Sequence, residues 1–249
     1  MEPGFEHIQQ EQQRYYEDRA HEYDDVWYRR GAYDLGPEGN ARWFEETSRL
    51  EAAVDDLDVS GLVLELACGT GLFTRHLAPR ARRLIAVDAA ASALALNREH
   101  VADPRVEYVH ADLFSWEPPP GVKFDAIFFA FLISHILPER FGEFWGRLGD
   151  WLAPGGHVFF CDDVAGSESR PSNPGESVDG GPEFAHRRRL SDGREYTIVK
   201  VFHHPDELHA TLASLGWSVD LWTTGDQFFY GVARLPGVDT GFHPGLPVA

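Results

Sequence analysis

One short stretch of the chain combines an acidic residue with closely spaced glycines. Glu65 follows the apolar pair Val63 and Leu64, and Gly69 and Gly71 come shortly after it. This pattern predicts a buried strand that runs into a tight turn, because glycine adopts backbone conformations that other residues avoid. Main-chain N–H groups at such a turn can contact a ligand directly. A carboxylate beside the turn repels a pyrophosphate and attracts a cation, so the expected ligand is a nucleoside that carries positive charge.

Two further acidic residues follow the next apolar segments. Asp88 comes directly after Arg83–Val87, and a third strand is predicted to end in 111–113, which includes Asp112. An acid at the end of the second strand is placed to accept two hydrogen bonds from a ribose diol, and Asp112 can accept one from an adenine amino group. Because ligands of parallel sheets lie at the carboxyl ends of the strands, Glu65, Asp88 and Asp112 are predicted to share one site.

His135 is the leading candidate for a general base. It comes just after the predicted fourth strand, Phe124–Ala130, on the side where ligands bind. Its imidazole titrates near neutral pH, which suits proton transfer. A histidine at a helix start is also a common hydrogen-bonded packing residue, so a structural role stays open. His203 and His204 are the alternative bases, and a reaction that needs no base is a further alternative.

The glycine turn does not match the fingerprint of a nicotinamide or flavin dinucleotide site. That fingerprint requires the spacing G-x-G-x-x-G. Counted from Gly69 and Gly71, the third glycine would fall at Thr74, and counted backwards the first position holds Ala67. A dinucleotide site is therefore disfavoured.

Strand and helix patterns alternate through the middle of the chain. The predicted strands are 63–66, 83–87, one that ends at 111–113, 124–130 and 157–161, and the predicted helices are 5–28, 41–57, 72–79, 89–101, one from 138, and 205–215. A hairpin is predicted around 191–193, followed later by an antiparallel pair at 217–224 and 227–235. Strands joined by helices form right-handed crossovers, so the expected fold is α/β with a doubly wound, mostly parallel sheet.

These features together resemble the class I S-adenosylmethionine (SAM) dependent methyltransferases. The first motif of that family matches 65–71, except that Ala67 stands where the family usually has its first glycine. Asp88 matches the ribose acid, Asp112 matches the adenine-side acid, and Pro154-Gly155-Gly156 matches the turn before the fifth strand. The resemblance covers 60–163 and implies a Rossmann-like sheet of seven strands with a reversed last strand, and SAM as the cofactor. The residues that it implies for cofactor binding are Tyr16, Tyr23, Glu65, Ala67, Gly69, Thr70, Gly71, Asp88, Ala89, Asp112, Leu113, Ala130 and Phe131.

The N-terminal segment is predicted to form an amphipathic helix over 5–28 with an aromatic stripe. It resembles the N-terminal helices of small-molecule methyltransferases, which close over cofactor and substrate, so we interpret it as a lid that also packs against the sheet. The residues expected to contact the methyl acceptor are Tyr15, Trp27, Tyr28, Arg30 and Phe184, together with Phe131 and His135. Aromatic side chains suit a flat or partly apolar small molecule. The basic cluster 187–189 is either a solvated strand edge or an anchor for an acidic substrate.

The composition disfavours several classes of partner. The net charge is −18, from 22 basic and 40 acidic residues, and such a charge repels nucleic acid and anionic membrane. The longest apolar run, 126–137, is too short to span a bilayer. No basic segment followed by an apolar one opens the chain, so we expect a cytoplasmic protein. Cys68 and Cys161 are expected to be buried thiols, and no spacing of side chains predicts a metal site.

We therefore expect N-terminal helices with a lid over 1–57, a SAM-binding domain over 58–235 with an insertion at 164–202, and a flexible tail over 236–249. The expected reaction is in-line methyl transfer to oxygen, nitrogen or carbon of a small molecule, by a monomer or homodimer. Two alternatives stay open, since a fold does not fix a reaction. One is a SAM-binding enzyme that transfers another substituent or catalyses a cyclisation, and the other is a non-catalytic SAM-binding partner subunit.

Overall fold

The computed structural model describes residues 3–165, 176–178 and 181–236. The α-helices are α1 (Pro3–Arg19), α2 (Gly36–Asp55), α3 (Thr74–Leu77), α4 (Ala91–Val101), α5 (Pro138–Trp151) and α6 (Pro205–Ser214). The strands are β1 (Leu62–Leu66), β2 (Arg83–Asp88), β3 (Val106–His110), β4 (Phe124–Ala130), β5 (Leu152–Asp163), β6 (Glu176–Ser177), β7 (Ala185–Arg189), β8 (Glu195–Val199), β9 (Ser218–Thr223) and β10 (Phe228–Arg234). Short 3-10 helices cover Ala20–Asp25, Gly31–Tyr33 and Ile133–His135.

The central sheet has seven strands in the order β3-β2-β1-β4-β5-β10-β9. Neighbours among β1 to β5 pair in parallel, and β10 is antiparallel to both β5 and β9. This confirms the doubly wound α/β fold and the reversed last strand. The chain moves outward from β1 to β3 and then returns to place β4 on the other side of β1. The direction of winding therefore reverses between β1 and β4, and this is the point where ligands of such sheets bind.

Two apolar cores cover the two faces of this sheet, because successive side chains of a strand point in opposite directions. Phe128 stacks on Phe159 with ring centroids 5.4 Å apart in the core that includes α2. Phe129 stacks on Phe160 at 5.8 Å in the core that includes α5. All four rings are buried. The packing on both faces fixes the carboxyl ends of β4 and β5 relative to each other.

The N-terminal segment differs from the single helix expected over 5–28. After α1 the chain continues as a 3-10 helix over Ala20–Asp25. Ala20 packs against Ala90 and Ala93 beside the start of α4, where small side chains allow a close approach. Short 3-10 segments are common at the ends of α-helices. Tyr15, Tyr23 and Trp27 are separated by multiples of four residues, which predicts one continuous α-helix, so this periodicity does not show the change.

The start of α2 also differs from the expectation, because the helix begins several residues earlier, at Gly36. Pro37 lies in the first turn, where proline is favoured. Oδ1 of Asp34 accepts a hydrogen bond from the N–H of Gly36 at 2.8 Å, and Oδ1 of Asn40 accepts one from the N–H of Leu35 at 3.0 Å. The sequence pattern predicted this helix only from 41, whereas Pro37 marks its start.

Three other boundaries are corrected. β3 ends at His110, so Asp112 lies in the following loop and not in the strand. α3 ends at Leu77 instead of continuing to 79. β5 begins at Leu152 and includes the Pro-Gly-Gly turn, and its pairing with β4 is irregular near Phe124.

A smaller sheet has the strand order β6-β7-β8, and its antiparallel strands β7 and β8 form the hairpin predicted around 191–193. α1 packs against it, with Tyr15 in contact with Leu190 and Ile198. Residues 166–175 and 179–180 of the insertion predicted over 164–202, and most of the predicted tail, lie outside the described residues. Among the helices of the described segments, none is long and apolar enough to cross a membrane.

Candidate active site

A cavity opens at the carboxyl ends of β1, β2 and β4, between the sheet and α1. Its lining residues are Gln9, Gln12, Gln13, Tyr16, Ala20, Tyr23, Ala67, Gly69, Thr70, Val87, Asp88, Ala89, Ala90, Ala93, Ala111, Asp112, Leu113, Phe114, Ala130, Phe131, Leu132, His135 and Ile136. The structure thus brings together all the predicted cofactor-binding residues except Glu65 and Gly71. We call this space the cofactor cavity.

The glycine turn at the floor of the cofactor cavity has a left-handed backbone. The φ angle is 53° at Gly69 and 98° at Gly71, and Ala67 also has a positive φ of 52°. A Cβ on Gly71 would lie 2.9 Å from Oδ1 of Asn97, so a larger residue does not fit there. Asn97 of α4 is fully buried and donates hydrogen bonds to the carbonyl oxygens of Cys68 and Gly69, at 3.3 and 3.2 Å. Asn97 therefore braces the turn, a role that the sequence analysis missed.

Asp88 ends β2 with its carboxylate at the cavity. Oδ2 accepts from the N–H of Gly69 and Oδ1 accepts from the N–H of Ala90, both at 2.8 Å. Burial raises the pKa of Asp88, although these backbone hydrogen bonds oppose the shift. Each carboxylate oxygen keeps a further lone pair. Asp88 can therefore accept two more hydrogen bonds, the number that a ribose diol donates.

Glu65 lies beneath the turn with 2% of its surface exposed. Thr74 hydrogen-bonds its carboxyl group, but Oε2 has no hydrogen-bond partner in the described residues. Burial raises the pKa of Glu65 to about 8; the hydrogen bond of Thr74 opposes this shift and the charge of Asp88 adds to it. A buried acceptor without a partner is costly unless a ligand complements it. Glu65 does not line the cofactor cavity, so it supports the glycine turn from below and a direct contact with the cofactor stays a prediction.

We expect Glu65→Gln to change how the stability of the ligand-free protein depends on pH. Because the folded-state pKa of Glu65 is about 8 against an ordinary 4.5, the folded protein retains a proton between these values that the unfolded chain releases. The free energy of unfolding of the wild type should therefore fall as pH rises through this window, relative to the variant. Thermal melts of both proteins across the window measure the difference. If the melting temperatures of both proteins change with pH in the same way, Glu65 ionises in the folded protein as it does in the unfolded chain.

Asp112, in the loop after β3, connects the wall of the cofactor cavity to α1. Its Oδ2 accepts from Nε2 of Gln13 at 2.9 Å, and its Oδ1 accepts from the N–H of Phe114 at 3.0 Å. On the other side of the cavity mouth, Oγ of Ser92 donates to the carbonyl oxygen of Glu17 at 2.6 Å. These contacts hold α1 across the cavity. Sequence patterns did not identify Gln13, since its role depends on the position of the loop after β3.

His135, in the 3-10 helix that follows β4, has a partner for each ring nitrogen. Nδ1 lies 2.6 Å from the carbonyl oxygen of Val199, and Nε2 lies 2.8 Å from the hydroxyl of Tyr16. A carbonyl oxygen only accepts, so Nδ1 carries the proton, and Nε2 of the neutral ring accepts from Tyr16. Gln12 braces the same junction, since its Nε2 donates to the carbonyl of His135 at 3.3 Å and its Oε1 accepts from the N–H of Val199 at 2.9 Å. The basic nitrogen of His135 therefore faces Tyr16.

A second cavity continues beyond His135 towards β8, and we call it the acceptor cavity. It shares Tyr16, Tyr23, Phe131 and His135 with the cofactor cavity. Its other lining residues are Val26, Trp27, Trp43, Leu72, Asp163, Lys200 and Phe228. The wall is mostly aromatic, with one ion pair in which Nζ of Lys200 lies 3.1 Å from Oδ2 of Asp163. Sequence reasoning missed this pair, because only the return of the hairpin brings Lys200 next to the end of β5.

The residues predicted to contact the acceptor are not all brought together. Trp27 lines the acceptor cavity. Tyr28 and Arg30 line a separate cavity on the other side of the glycine turn. Tyr15 is 1% exposed and packs between α1 and the hairpin. Phe184 precedes β7, where its carbonyl oxygen accepts from the backbone N–H that follows β8.

The two alternative bases lie outside both cavities. Nε2 of His203 lies 3.4 Å from the carbonyl oxygen of Ile133, and its ring packs against Phe141 with centroids 5.5 Å apart. Burial lowers the pKa of His203. His204 is exposed at the start of α6. The geometry therefore favours His135 over both of them.

Comparison with known proteins agrees with this architecture. Residues 63–156 match the family model of a methyltransferase domain. The chain is similar to the solved structure of a DhpI–SAH complex, with 35% identity and a TM-score of 0.72 over 93% of this chain and 99% of that one. The chain belongs to the class I SAM-dependent methyltransferases. A DhpI–SAM–HEP complex is similar to this methyltransferase to the same degree, with 35% identity and a TM-score of 0.72 over 92% of this chain and 98% of that one.

Sequence relatives agree over the central part of the methyltransferase. It is 34% identical over 122 residues to phosphoethanolamine N-methyltransferase 1 of Triticum aestivum. The matched region covers 45% of this chain and 24% of that protein. It is 32% identical over 121 residues to demethylmenaquinone methyltransferase of Clavibacter sepedonicus, which covers 48% of this chain and 46% of that protein. The chain thus spans less than half the length of these relatives. The cofactor of this methyltransferase is SAM, as in the complexes that it resembles.

Proposed function

We propose that this methyltransferase transfers the methyl group of SAM to a small molecule bound in the acceptor cavity, with His135 as the general base. The observation that carries the proposal is the position of His135, whose basic nitrogen lies at the junction of the two cavities. Tyr16, Tyr23 and Phe131 surround the same junction. A methyl donor in one cavity and a nucleophile in the other would meet there.

The chemistry asks little of the protein beyond alignment and proton transfer. When bound, SAM supplies a methyl group on a sulfonium sulfur. This sulfur is already a good leaving group, because it departs as a neutral thioether. The site must exclude water and hold the nucleophile in line with the methyl carbon. An acceptor with an O–H or N–H would lose its proton to Nε2 of His135, either directly or through the hydroxyl of Tyr16. The Nδ1 hydrogen bond to Val199 keeps the ring in the tautomer that accepts this proton.

Two observations support a small acceptor. The buried aromatic residues Trp27, Trp43 and Phe228 line the cavity, and such walls suit a flat or partly apolar small molecule. The net charge of −18 disfavours nucleic acid. The names of the relatives, phosphoethanolamine N-methyltransferase and demethylmenaquinone methyltransferase, also specify small molecules as substrates of those proteins.

The test of the proposal is transfer of label from methyl-labelled SAM to a panel of small acceptors. We expect a methylated product whose formation depends on His135. A protein that binds SAM but labels none of the acceptors would favour the non-catalytic alternative. A product that carries another part of SAM, or a cyclised product, would favour a different reaction at the same cofactor cavity.

We expect Tyr16→Phe to lower the methyl-transfer rate about 2- to 10-fold, the effect of losing one hydrogen bond. The variant removes the hydroxyl that lies 2.8 Å from Nε2 of His135 but keeps the ring that lines both cavities. Single-turnover assays at saturating SAM measure the change. Tyr196→Phe is the matched control, since that hydroxyl donates to Asp18 at the surface. Equal rates for wild type and Tyr16→Phe would exclude a role of this hydroxyl in the reaction.

A further inference from the structure

Lys200 is a buried cation in the mostly aromatic wall of the acceptor cavity, and it is 6% exposed. Its Nζ lies 3.0 Å from Oγ of Ser134, 3.1 Å from Oδ2 of Asp163 and 3.5 Å from Oδ1 of Asp162. An ammonium has three N–H groups, so these three oxygens match all of its donors. The ammonium therefore binds other parts of the protein, and it leaves no donor for a ligand.

Ser134, one of the partners of this ammonium, directly precedes the proposed base. Ser134 and His135 belong to the same 3-10 helix, Ile133–His135. The backbone N–H of Ser134 also donates to Oδ2 of Asp162 at 3.1 Å. Asp162 lies near the end of β5 and is 1% exposed. Lys200 thus binds the side chain of Ser134, while Asp162 binds its backbone.

Three successive residues bind this short helix, and we call the segment 199–201 the clamp. The carbonyl oxygen of Val199 lies 2.6 Å from Nδ1 of His135. The next residue, Lys200, binds Oγ of Ser134, and the N–H of Val201 donates to the carbonyl oxygen of Ser134 at 2.7 Å. The base and the carbonyl that orients it are 64 positions apart in the chain. The contacts on either side of that carbonyl keep the two together.

We propose that Lys200 is a positioning residue for methyl transfer, which acts through Ser134 to hold His135 in the orientation and tautomer that accept a proton. Its ion pairs with Asp162 and Asp163 anchor the clamp to the end of β5. A buried polar network whose donors are satisfied makes the surrounding structure rigid. This accounts for an ion pair in an aromatic wall, where burial of charge is costly. The inference rests on the proposed function, because it takes His135 as the base.

The first test is the tautomer of His135 in the ligand-free, full-length protein, read by nitrogen NMR of the imidazole rings. The signals of His135 are those that disappear in His135→Ala. We expect only the Nδ1-protonated tautomer in the wild type. Lys200→Met leaves Asp162 and Asp163 without their cation, so the clamp should loosen and the Nε2-protonated tautomer should appear as well. Lys123→Met is the matched control, because Lys123 is exposed and is the other lysine of the sequence, and it should keep the wild-type signals.

The second test is a double-mutant cycle on the single-turnover rate, measured with the small acceptor that is labelled in the panel above. Lys200→Met should lower the rate about 10- to 100-fold, as expected when a catalytic group is misplaced. Its affinity for S-adenosylhomocysteine should not change, because Lys200 does not line the cofactor cavity. In a His135→Ala background the same substitution should lower the rate no further, since residues that act as one unit are not additive.

Three results would each overturn the inference: an unchanged His135 tautomer in folded Lys200→Met, a wild-type rate in that variant, or an equal loss of rate with and without His135. If Lys200→Met does not fold, Ser134→Ala takes its place in both tests, since it removes only the hydroxyl that accepts from Nζ. The outcome is separable from that of the proposed function. A slow His135→Ala with a wild-type Lys200→Met would reject this inference alone. A wild-type rate in His135→Ala, with a changed tautomer in Lys200→Met, would reject the proposed base and leave the clamp.

Discussion

Replacement of His135 by alanine is expected to lower the methyl-transfer rate about 100- to 10,000-fold, the usual contribution of a general base. The side chain lies at the junction of the two cavities, with its basic nitrogen 2.8 Å from the hydroxyl of Tyr16. The affinity for SAM should change little, because we expect Asp88 and Asp112 to bind the nucleoside. Single-turnover rates and calorimetric affinity, measured on the same preparation, separate the two effects.

His204→Ala is the matched control, since His204 is exposed and lies outside both cavities. A variant that retains the hydrogen bond to Val199 is also informative. His135→Asn places an amide there that cannot take up a proton at neutral pH, so it should be as slow as the alanine variant. Wild-type turnover in either His135 variant would mean that the reaction depends on alignment alone.

Replacement of Asp88 by alanine is expected to weaken SAM binding by about 2 kcal/mol, or roughly 30-fold, because hydrogen bonds to a charged acceptor are each worth about 1.5–3 kcal/mol. The carboxylate also accepts from the N–H groups of Gly69 and Ala90. Asp88→Asn keeps one oxygen for these contacts, and so distinguishes loss of the ribose contact from distortion of the turn. Calorimetric titration with SAM measures the affinity of each variant.

Glu107→Gln provides the control for charge, since Glu107 is a carboxylate on the neighbouring strand that faces solvent and pairs with Arg83. It should bind SAM as the wild type does. Unchanged affinity in Asp88→Ala would mean that the ribose does not bind at the end of β2, and the orientation of the cofactor would have to be revised.

The local sequence predicted the central sheet and the position of Asp88 at the end of β2, for a physical reason. A buried parallel strand needs a continuous apolar run, and a turn with positive φ favours glycine, so β1 and the turn at Gly69 and Gly71 leave clear patterns. The topology of the sheet then places the ends of β1, β2 and β4 together. Asp88 and His135 therefore come to one cavity without any further information.

The acceptor cavity and the packing of α1 beside it depend on contacts between distant segments, which local sequence patterns do not encode. The hydrogen bond between Gln12 and Val199 joins residues that are 187 positions apart. Lys200 reaches Asp163 only because the hairpin folds back onto β5. The N-terminal helix was also predicted as too long, since Tyr23 and Trp27 continue the spacing of an α-helix although the chain changes to a 3-10 helix at Ala20.

The most direct test of this account is a crystal structure of the methyltransferase with S-adenosylhomocysteine bound. We predict that the ribose hydroxyls bind Asp88, that the adenine lies beside Asp112 and Leu113, and that the sulfur faces Tyr16 and His135 at the entrance to the acceptor cavity. A complex in which the sulfur faces away from His135, or in which the nucleoside lies outside the cofactor cavity, would contradict the assignment of both cavities.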